Sequence, residues 1–255
     1  MKPFSLDEQW ARQPMVLNGF LAIPSAWTAE LMAHCGYDAL TIDIQHGLID
    51  YAMALQMLQA ISTTTVTPLV RLTWSDPDVI MKMLDAGAMG LICPMIETAE
   101  DCHRFVQASK YPPQGIRSFG PYRAQLLHGA DYFFQANRMT KALAMIETAK
   151  ALDHVEQIAA VPHLDGLFVG PYDLSVSLGI EPKGDLNHPQ LQQAILHILE
   201  VAKKQHLRAG IYTSVPAFAQ MATLWGFDLV SFAFDTSLLQ QAATTEVKRL
   251  KEKLI

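Results

Sequence analysis

Four ionisable side chains stand where a short apolar run of the sequence gives way to a polar stretch: His46, Arg71, Glu147 and Asp173. None of these positions calls for a charge on packing grounds, because an unpaired charge is costly to bury. Together the four residues could supply a general acid/base, a cation for developing negative charge and two carboxylates for a metal ion. If they converge on one edge of the fold, they form an active site.

Glu147 and Asp173 are the candidate metal ligands. Two carboxylates with open coordination positions suit a hard cation such as Mg²⁺ or Mn²⁺, which keeps waters and takes substrate oxygens. The sequence has no H-E-x-x-H, H-x-H or Cys/His cluster that would predict a zinc site instead. Structural roles stay open: His46 could be a packing residue, Arg71 could pair with an acid at the rim, Asp173 could cap a helix that begins at Leu174, and Glu147 could face solvent.

Several common catalytic motifs are missing from the sequence. It has no G-x-G-x-x-G after a strand, no P-loop and no G-x-S-x-G elbow. The predicted strand ends carry no lysine, which argues against carbonyl chemistry through a Schiff base on a buried amine.

Short apolar segments alternate with helical patterns along the chain and predict eight strands. They are Val16–Ile23, Ala39–Ile44, Pro68–Leu72, Gly90–Pro94, Ala142–Ile146, Gly166–Val169, Arg208–Tyr212 and Leu229–Phe234. Continuously apolar strands are typical of a sheet covered on both faces. The alternation implies a parallel sheet, and eight repeats favour one closed (β/α)8 TIM barrel domain over residues 1–255. A doubly wound open sheet is the main alternative. In a barrel, the strand ends that carry the four ionisable residues meet at the C-terminal face.

The predicted helices lie between these strands: Ala26–Cys35, Ala52–Ser62, Pro77–Ala86, Ala99–Ser109, Ala151–Ala160, Pro189–Lys204, Pro216–Leu224 and Ser237–Lys253. Asp50, Asp76 and Ser214 are predicted N-caps. Gly36, Gly87 and Gly226 are predicted C-terminal stops. The connection 111–139 is long enough to hold a functional loop or extra helices.

Composition bounds the class of protein. The net charge is −6 and the pI is about 5.8, so neither nucleic acid nor an anionic membrane is an expected partner. No apolar run approaches the roughly 20 residues of a membrane span. Three cysteines without a C-x-x-C pair indicate buried thiols in a reducing cytoplasm. Only 17% of the residues are charged, which fits either surface buried between subunits or one deep core.

The sequence from about Gly19 to Asp235 resembles the metal-dependent pyruvate aldolases of the 4-hydroxy-2-oxoheptanedioate aldolase family, related to 2-dehydro-3-deoxygalactarate aldolase. The motifs that carry the resemblance are Gly36-Tyr37-Asp38, Ile42-Asp43-Ile44-Gln45-His46-Gly47, Val70-Arg71, Leu84-Asp85-Ala86-Gly87-Ala88, Pro94-Met95, Tyr111-Pro112-Pro113-Gln114-Gly115-Ile116-Arg117, Ile146-Glu147-Thr148 and Gly170-Pro171-Tyr172-Asp173-Leu174-Ser175. These motifs are specific for the family and much less so for the substrate.

The resemblance implies a (β/α)8 barrel that assembles as a homohexamer, a dimer of trimers, with its last helix swapped onto a neighbour. It implies a divalent metal ion (Mg, Mn or Co) on Glu147 and Asp173, His46 as the acid/base group held by Asp85, and Arg71 over the substrate's keto oxygen. It also places Phe119 and Tyr212 beside the aldehyde. The chain departs from the family pattern at Gln45, where glutamate is common, at Tyr172, where a small residue is common, and at Tyr212, where an aliphatic one is common.

The resemblance implies aldol cleavage or condensation of 4-hydroxy-2-oxo acids, with pyruvate or a related 2-oxo acid and an aldehyde as the small-molecule partners. Backbone N–H groups around Gly170, Tyr172 and Asp173 would receive the substrate carboxylate. His46 would exchange a proton with the 4-hydroxyl. The alternatives are a citrate-lyase-like or acyl-CoA lyase on the same barrel, and a non-catalytic 2-oxo-acid-binding protein.

Overall fold

The apolar segments form eight parallel strands that close into a barrel, running in chain order with the last strand paired back to the first. The computed structural model describes residues 2–180 and 186–252. The strands are β1 (Val16–Leu21), β2 (Ala39–Asp43), β3 (Thr67–Arg71), β4 (Gly90–Cys93), β5 (Lys141–Ile146), β6 (Gly166–Val169), β7 (Arg208–Thr213) and β8 (Leu229–Phe234). Each overlaps its predicted segment. The (β/α)8 prediction is therefore confirmed, and the open-sheet alternative is wrong.

Helices surround the barrel and return the chain to the N-terminal ends of the strands. They are α1 (Leu6–Arg12), α2 (Ala26–Ala33), α3 (Tyr51–Ile61), α4 (Pro77–Asp85), α5 (Ala99–Ser109), α6 (Tyr122–His128), α7 (Tyr132–Met139), α8 (Ala149–Asp153), α9 (Val155–Ala159), α10 (Pro171–Ser177), α11 (Pro189–Lys204), α12 (Pro216–Trp225) and α13 (Asp235–Glu252). The helix predicted at Ala151–Ala160 is divided into α8 and α9 at His154. The long connection holds α6 and α7, and α1 was not predicted.

The helix ends follow the predicted chemistry with one exception. Asp50 accepts a hydrogen bond from the N–H of Met53, and Asp76 accepts one from that of Asp78, as N-caps do. The three predicted stop glycines all have positive φ, and Gly226 is the left-handed C-cap of α12. Ser214 is not an N-cap, because α12 begins one residue later and its cap position is Val215.

The barrel lumen is filled by apolar side chains and closed at its N-terminal end by α1. Leu6 and Trp10 of this helix are buried with lumen residues of the strands, and the indole N–H of Trp10 donates to the carbonyl of Asp228 at 2.8 Å. Polar contacts cross the lumen at Asn18, whose amide donates to the hydroxyls of Thr41 and Ser231 at 2.8 Å each. The lumen is therefore a packed core, and the strand C-terminal ends form its open mouth.

The last helix, α13, packs on the barrel only where it begins. Among its described residues Asp235 alone is buried. The spacing of its apolar residues predicts a stripe along one face of the helix, which in the described part consists of Leu238, Leu239, Ala242, Ala243, Val247 and Leu250. Leu238 is partly buried against the core, and the other five are exposed. Of the predicted helix Ser237–Lys253 and its stripe, Lys253 and Leu254 lie outside the described residues. Beyond Leu238, the described part of the stripe does not pack on its own barrel. No helix in the described part of the chain is long and apolar enough to cross a membrane.

Candidate active site

Arg71 and Asp43 form a buried, two-point ion pair at the mouth of the barrel. Each is the last residue of its strand, β3 or β2, and the two strands are neighbours. The guanidinium donates from Nε to Oδ1 of Asp43 at 2.9 Å and from Nη2 to Oδ2 at 2.7 Å. Asp43 is fully buried, so the pair holds the guanidinium in one orientation. No role was predicted for Asp43, although an aspartate that ends an apolar strand is itself a signal.

The same carboxylate organises the loop that carries His46. Oδ1 of Asp43 accepts the backbone N–H of Gln45 at 3.1 Å and that of His46 at 3.4 Å. His46 is exposed at the rim, where an imidazole can exchange protons with a substrate. Gln45 is half-buried, and its Oε1 is buried without a hydrogen-bond partner among the described residues. An acceptor of this kind fits a bound water or a substrate hydroxyl.

Glu147 is a buried carboxylate that directly follows β5. It is 2% exposed, and its Oε1 accepts the N–H of Met95 at 2.7 Å. Met95 has a φ of 56°, a backbone conformation that is uncommon outside glycine, and it lies just beyond β4. The pKa of Glu147 is raised to about 7, chiefly by burial. The negative charge of Asp173 also raises it, whereas the hydrogen bond from Met95 and the charge of Arg71 lower it.

Asp173 lies in the first turn of α10, the helix that follows the next strand, β6. It is exposed, and the N-cap of α10 is Gly170 without a side-chain cap bond, so the reading of Asp173 as a helix cap is wrong. Gly170 itself lies against Glu147. The described residues contain no cluster of three or more His, Cys, Asp and Glu that could hold a metal ion. Two carboxylates on adjacent strand ends, one of them buried, still fit a hard cation that fills its remaining positions with water and substrate oxygens.

A layer of aromatic rings, Phe20, Tyr172, Tyr212 and Phe234, forms an aromatic wall beside Arg71. Tyr212 lies 5.3 Å from Phe20 and 5.3 Å from Phe234, measured between ring centroids. Tyr172 on α10 lies 5.9 Å from Tyr212. Burial raises the pKa of the Tyr212 phenol, so this group stays protonated and can donate a hydrogen bond.

Ser214 joins this wall and was not predicted as a site residue. Its hydroxyl lies 2.7 Å from the phenol oxygen of Tyr172, linking the loop after β7 to α10. Its one signal in the sequence is a polar residue immediately after a strand.

Asp85 does not hold His46 within one chain. It ends α4, which runs back toward the N-terminal ends of the strands, while His46 follows the C-terminal end of β2. The partner of Asp85 is Arg117, whose Nη2 donates to Oδ1 at 2.7 Å. Within one chain, Asp85 therefore lies on the side of the barrel opposite the mouth, and its role toward His46 stays a prediction that needs a neighbouring copy.

Phe119 also lies away from the mouth of its own barrel. The loop that carries it follows α5, which also returns to the N-terminal side of the barrel. Its ring is 63% exposed and packs beside Tyr111 at 6.2 Å and Phe133 at 5.4 Å between centroids. Phe119 therefore does not line the pocket of its own chain.

The other predicted site residues lie at the strand C-terminal ends, around the mouth. They are Gln45, His46, Arg71, Glu147, Gly170, Tyr172, Asp173 and Tyr212.

Comparison with known proteins agrees with this geometry. The sequence profile of the HpcH/HpaI aldolase/citrate lyase family matches residues 18–242. A hydroxypyruvate/pyruvate aldolase of Rhizorhabdus wittichii is 40% identical over 92% of this chain and 93% of its own length. A 5-keto-4-deoxy-D-glucarate aldolase of Klebsiella pneumoniae is 34% identical over 91% of each chain. The crystal structure of a HpcH/HpaI aldolase/citrate lyase family protein from Burkholderia cenocepacia superposes with a TM-score of 0.88 at 32% identity, covering 96% of this chain and 98% of that one.

Proposed function

The chain belongs to the HpcH/HpaI aldolase/citrate lyase family and is a carbon–carbon lyase of the aldolase type, and we propose that it acts with Mg²⁺, Mn²⁺ or Co²⁺ held by Glu147 and Asp173. The observation that carries the metal proposal is the environment of the Glu147 carboxylate. Its carboxylate is buried, its hydrogen bond within the described residues is to the N–H of Met95, and a second carboxylate lies across from it. A bound cation would neutralise both.

When bound, the cation would supply a Lewis acid for the two oxygens of a 2-oxo acid. The chain's own residues do the rest. In cleavage, His46 takes the proton of the 4-hydroxyl, the C3–C4 bond breaks to release the aldehyde, and its electron pair passes to the oxygen on C2. Arg71 stabilises the negative charge there, because Asp43 occupies its Nε and Nη2 and leaves Nη1 for the substrate. A proton returned to C3 completes the pyruvate.

We propose pyruvate and hydroxypyruvate as the nucleophilic partners. The relative from Rhizorhabdus wittichii is named for both. The orphan acceptor on Gln45 supports the second, since a hydroxyl or its bound water would satisfy that buried oxygen.

We propose that the active assembly is a hexamer, a dimer of trimers, in a reducing cytoplasm. The exposed apolar stripe of α13 supports a swapped last helix. Exposed apolar side chains also surround the loop of Phe119 and the helix after it: Ile116, Tyr122, Leu126 and Phe134. In such an assembly Asp85 and Phe119 could serve a site only from a neighbouring copy. The free thiols of Cys93 and Cys102 are buried, as in a protein kept reduced, whereas Cys35 is exposed, so the prediction of a buried thiol is wrong at that position.

The exchange of pyruvate C3 protons into D₂O, followed by NMR, tests the function without choosing an aldehyde. Exhaustive chelation should abolish exchange, and Mg²⁺, Mn²⁺ or Co²⁺ should restore it. Glu147→Gln and Asp173→Asn should each weaken Mn²⁺ binding measured by calorimetry. Glu100→Gln, at an exposed carboxylate of α5, gives the matched control. Full exchange after chelation would contradict the metal proposal. A protein that binds pyruvate but never exchanges its protons would be a binder, and one that cleaves only CoA thioesters would be an acyl-CoA lyase.

A further inference from the structure

Strand β8 carries one extra residue near its end, where it pairs with β1. Asn18 lies opposite Ser231, but Phe20 lies opposite Phe234, so two steps on β1 match three on β8. Ala233 sits in this bulge with a φ of 61°. An alanine rarely adopts such a conformation, and a bulge of this kind changes which way the next side chain points.

The bulge decides which face of the sheet Phe234 occupies. Before it, the strand alternates normally: Leu229 faces the lumen, Val230 packs in the outer layer, and Ser231 bonds to Asn18 inside the barrel. Simple alternation would turn residue 234 outward to the helices. The extra residue resets the alternation, and Phe234 instead packs with the lumen cluster.

Inside the mouth, Phe234 is one wall of the slot that holds Arg71. Its ring lies 5.2 Å from that of Phe20, and the guanidinium carbon of Arg71 lies 5.1 Å from the Phe20 centroid and 5.9 Å from the Phe234 centroid. Both distances are within cation–π range. Asp43 fixes one edge of the guanidinium, and the two rings limit how the rest of it can tilt.

The residue after Phe234 fastens the bulge to the neighbouring strand. The carboxylate of Asp235 is buried and accepts the N–H of Ala22 at 2.9 Å and that of Ile23 at 3.1 Å. The ends of β1 and β8 are thereby joined just beyond the two rings. The strained backbone at Ala233 is held in place on its C-terminal side by these bonds.

We propose that Phe234, turned into the lumen by the bulge at Ala233, is a positioning residue that orients Arg71 for catalysis. The proposal rests on the role given to Arg71 in the proposed function. Pyruvate proton exchange needs no aldehyde, so in this reaction the contact of Phe234 with Tyr212 is not tested and Phe234 acts through the guanidinium. Its loss should impair the step that Arg71 serves and leave cation binding at Glu147 unchanged.

The test is a double-mutant cycle read by pyruvate proton exchange. Phe234→Leu should lower kcat for exchange by roughly tenfold to a hundredfold, the scale expected for a misplaced catalytic group. Phe234→Tyr, which keeps the ring face, should retain most of the rate. In an Arg71→Lys background, Phe234→Leu should have less than about a twofold further effect, because coupled residues are not additive. The matched control is Phe232→Leu, on the outer side of the same strand.

Calorimetry measures two further quantities, the Mn²⁺ affinity and the thermal midpoint. Mn²⁺ affinity should be unchanged in Phe234→Leu, and Ala233→Gly should keep activity while raising the thermal midpoint by relieving the positive φ. Equal losses from Phe234→Leu in both backgrounds, or a Phe234→Tyr variant as slow as Phe234→Leu, would overturn the inference. If Arg71→Lys alone exchanged protons at the full rate, the role of Arg71 in the proposed function would fail instead.

Discussion

Gly170 lies in direct contact with the carboxylate of Glu147. A Cβ placed on Gly170 would lie 2.9 Å from both the Cβ and Oε2 of Glu147, closer than side-chain atoms normally approach. The space that the Glu147 side chain occupies at the mouth therefore depends on the absence of a side chain at Gly170. This contact couples the loop after β6 to the carboxylate after β5, the two elements that would share a metal ion.

Gly170→Ala should displace Glu147 and weaken Mn²⁺ binding by at least about tenfold, with a parallel loss of pyruvate proton exchange, since metal sites depend on ligand placement. Calorimetry of the metal-free protein measures the first and NMR the second. Gly120→Ala is the matched control, because a Cβ at Gly120 would meet no atom within 4 Å. Unchanged Mn²⁺ affinity in Gly170→Ala would show that Glu147 is not a ligand.

Substitution of Arg71 and His46 should separate two steps of the reaction. Arg71→Ala should lose both pyruvate proton exchange and aldol cleavage, because both develop negative charge on the C2 oxygen. His46→Ala should lower the cleavage rate by roughly a hundredfold or more and the exchange rate less, since His46 accepts the proton of the 4-hydroxyl during cleavage. Rates of both reactions on the same preparations decide the point, and a His46→Ala variant that cleaves normally would remove His46 from the mechanism.

The barrel and most of its mouth could be predicted because the signals are local. Buried parallel strands are continuously apolar, and a charged residue at a strand end stands out against that background, as Arg71 and Glu147 do. Once the strands are parallel, their C-terminal ends must share one face, so the sequence alone brings these residues together.

The parts of the fold and site that were not predicted also have physical explanations. Asp85 and Phe119 were assigned by resemblance, and resemblance does not say which chain a residue serves. α1 was overlooked although Ser5 and Glu8 form a capping box at its start. The bulge at Ala233 could not be predicted, because alanine carries no preference for positive φ and only the pairing with β1 shows the extra residue.

His128 makes the stability of the protein depend on pH at a site far from the mouth. Its ring stacks on Tyr132, with centroids 5.7 Å apart. Burial, with the nearby charges of Lys2 and Arg123, lowers the pKa of His128 to about 4. The unfolded chain, with a histidine pKa of about 6.5, therefore binds more protons than the folded chain between these two values.

The free energy of unfolding should accordingly fall as pH is lowered from about 6.5 toward 4, and His128→Gln should flatten that part of the profile. Urea denaturation at closely spaced pH values measures the slope. The exposed His103 on α5 supplies the control, since His103→Gln should leave the parent slope in place. A His128→Gln profile as steep as the parent's would show that this ring does not stay neutral on folding.

The aromatic wall predicts which aldehydes the enzyme accepts. Tyr212 and the Tyr172–Ser214 pair present hydroxyl groups at the mouth, whereas the cation beside Tyr212 is Arg71, which is already paired with Asp43. In the part of this wall that the structure describes, a second carboxylate on the substrate would meet no free cation.

Glycolaldehyde, glyceraldehyde and lactaldehyde should therefore be better acceptors than succinic semialdehyde. A hydroxyl–hydroxyl contact contributes about 0.5–1.5 kcal/mol, so Tyr212→Phe should lower kcat/KM for glyceraldehyde by roughly two- to tenfold and hardly change it for succinic semialdehyde. Tyr212→Leu also removes the ring and should raise the relative rate with the longer aldehyde, because an aromatic side chain narrows a pocket. Competition between the two aldehydes in one reaction gives the ratio directly. A parent enzyme that prefers succinic semialdehyde, or a ratio that neither substitution changes, would show that Tyr212 does not meet the aldehyde.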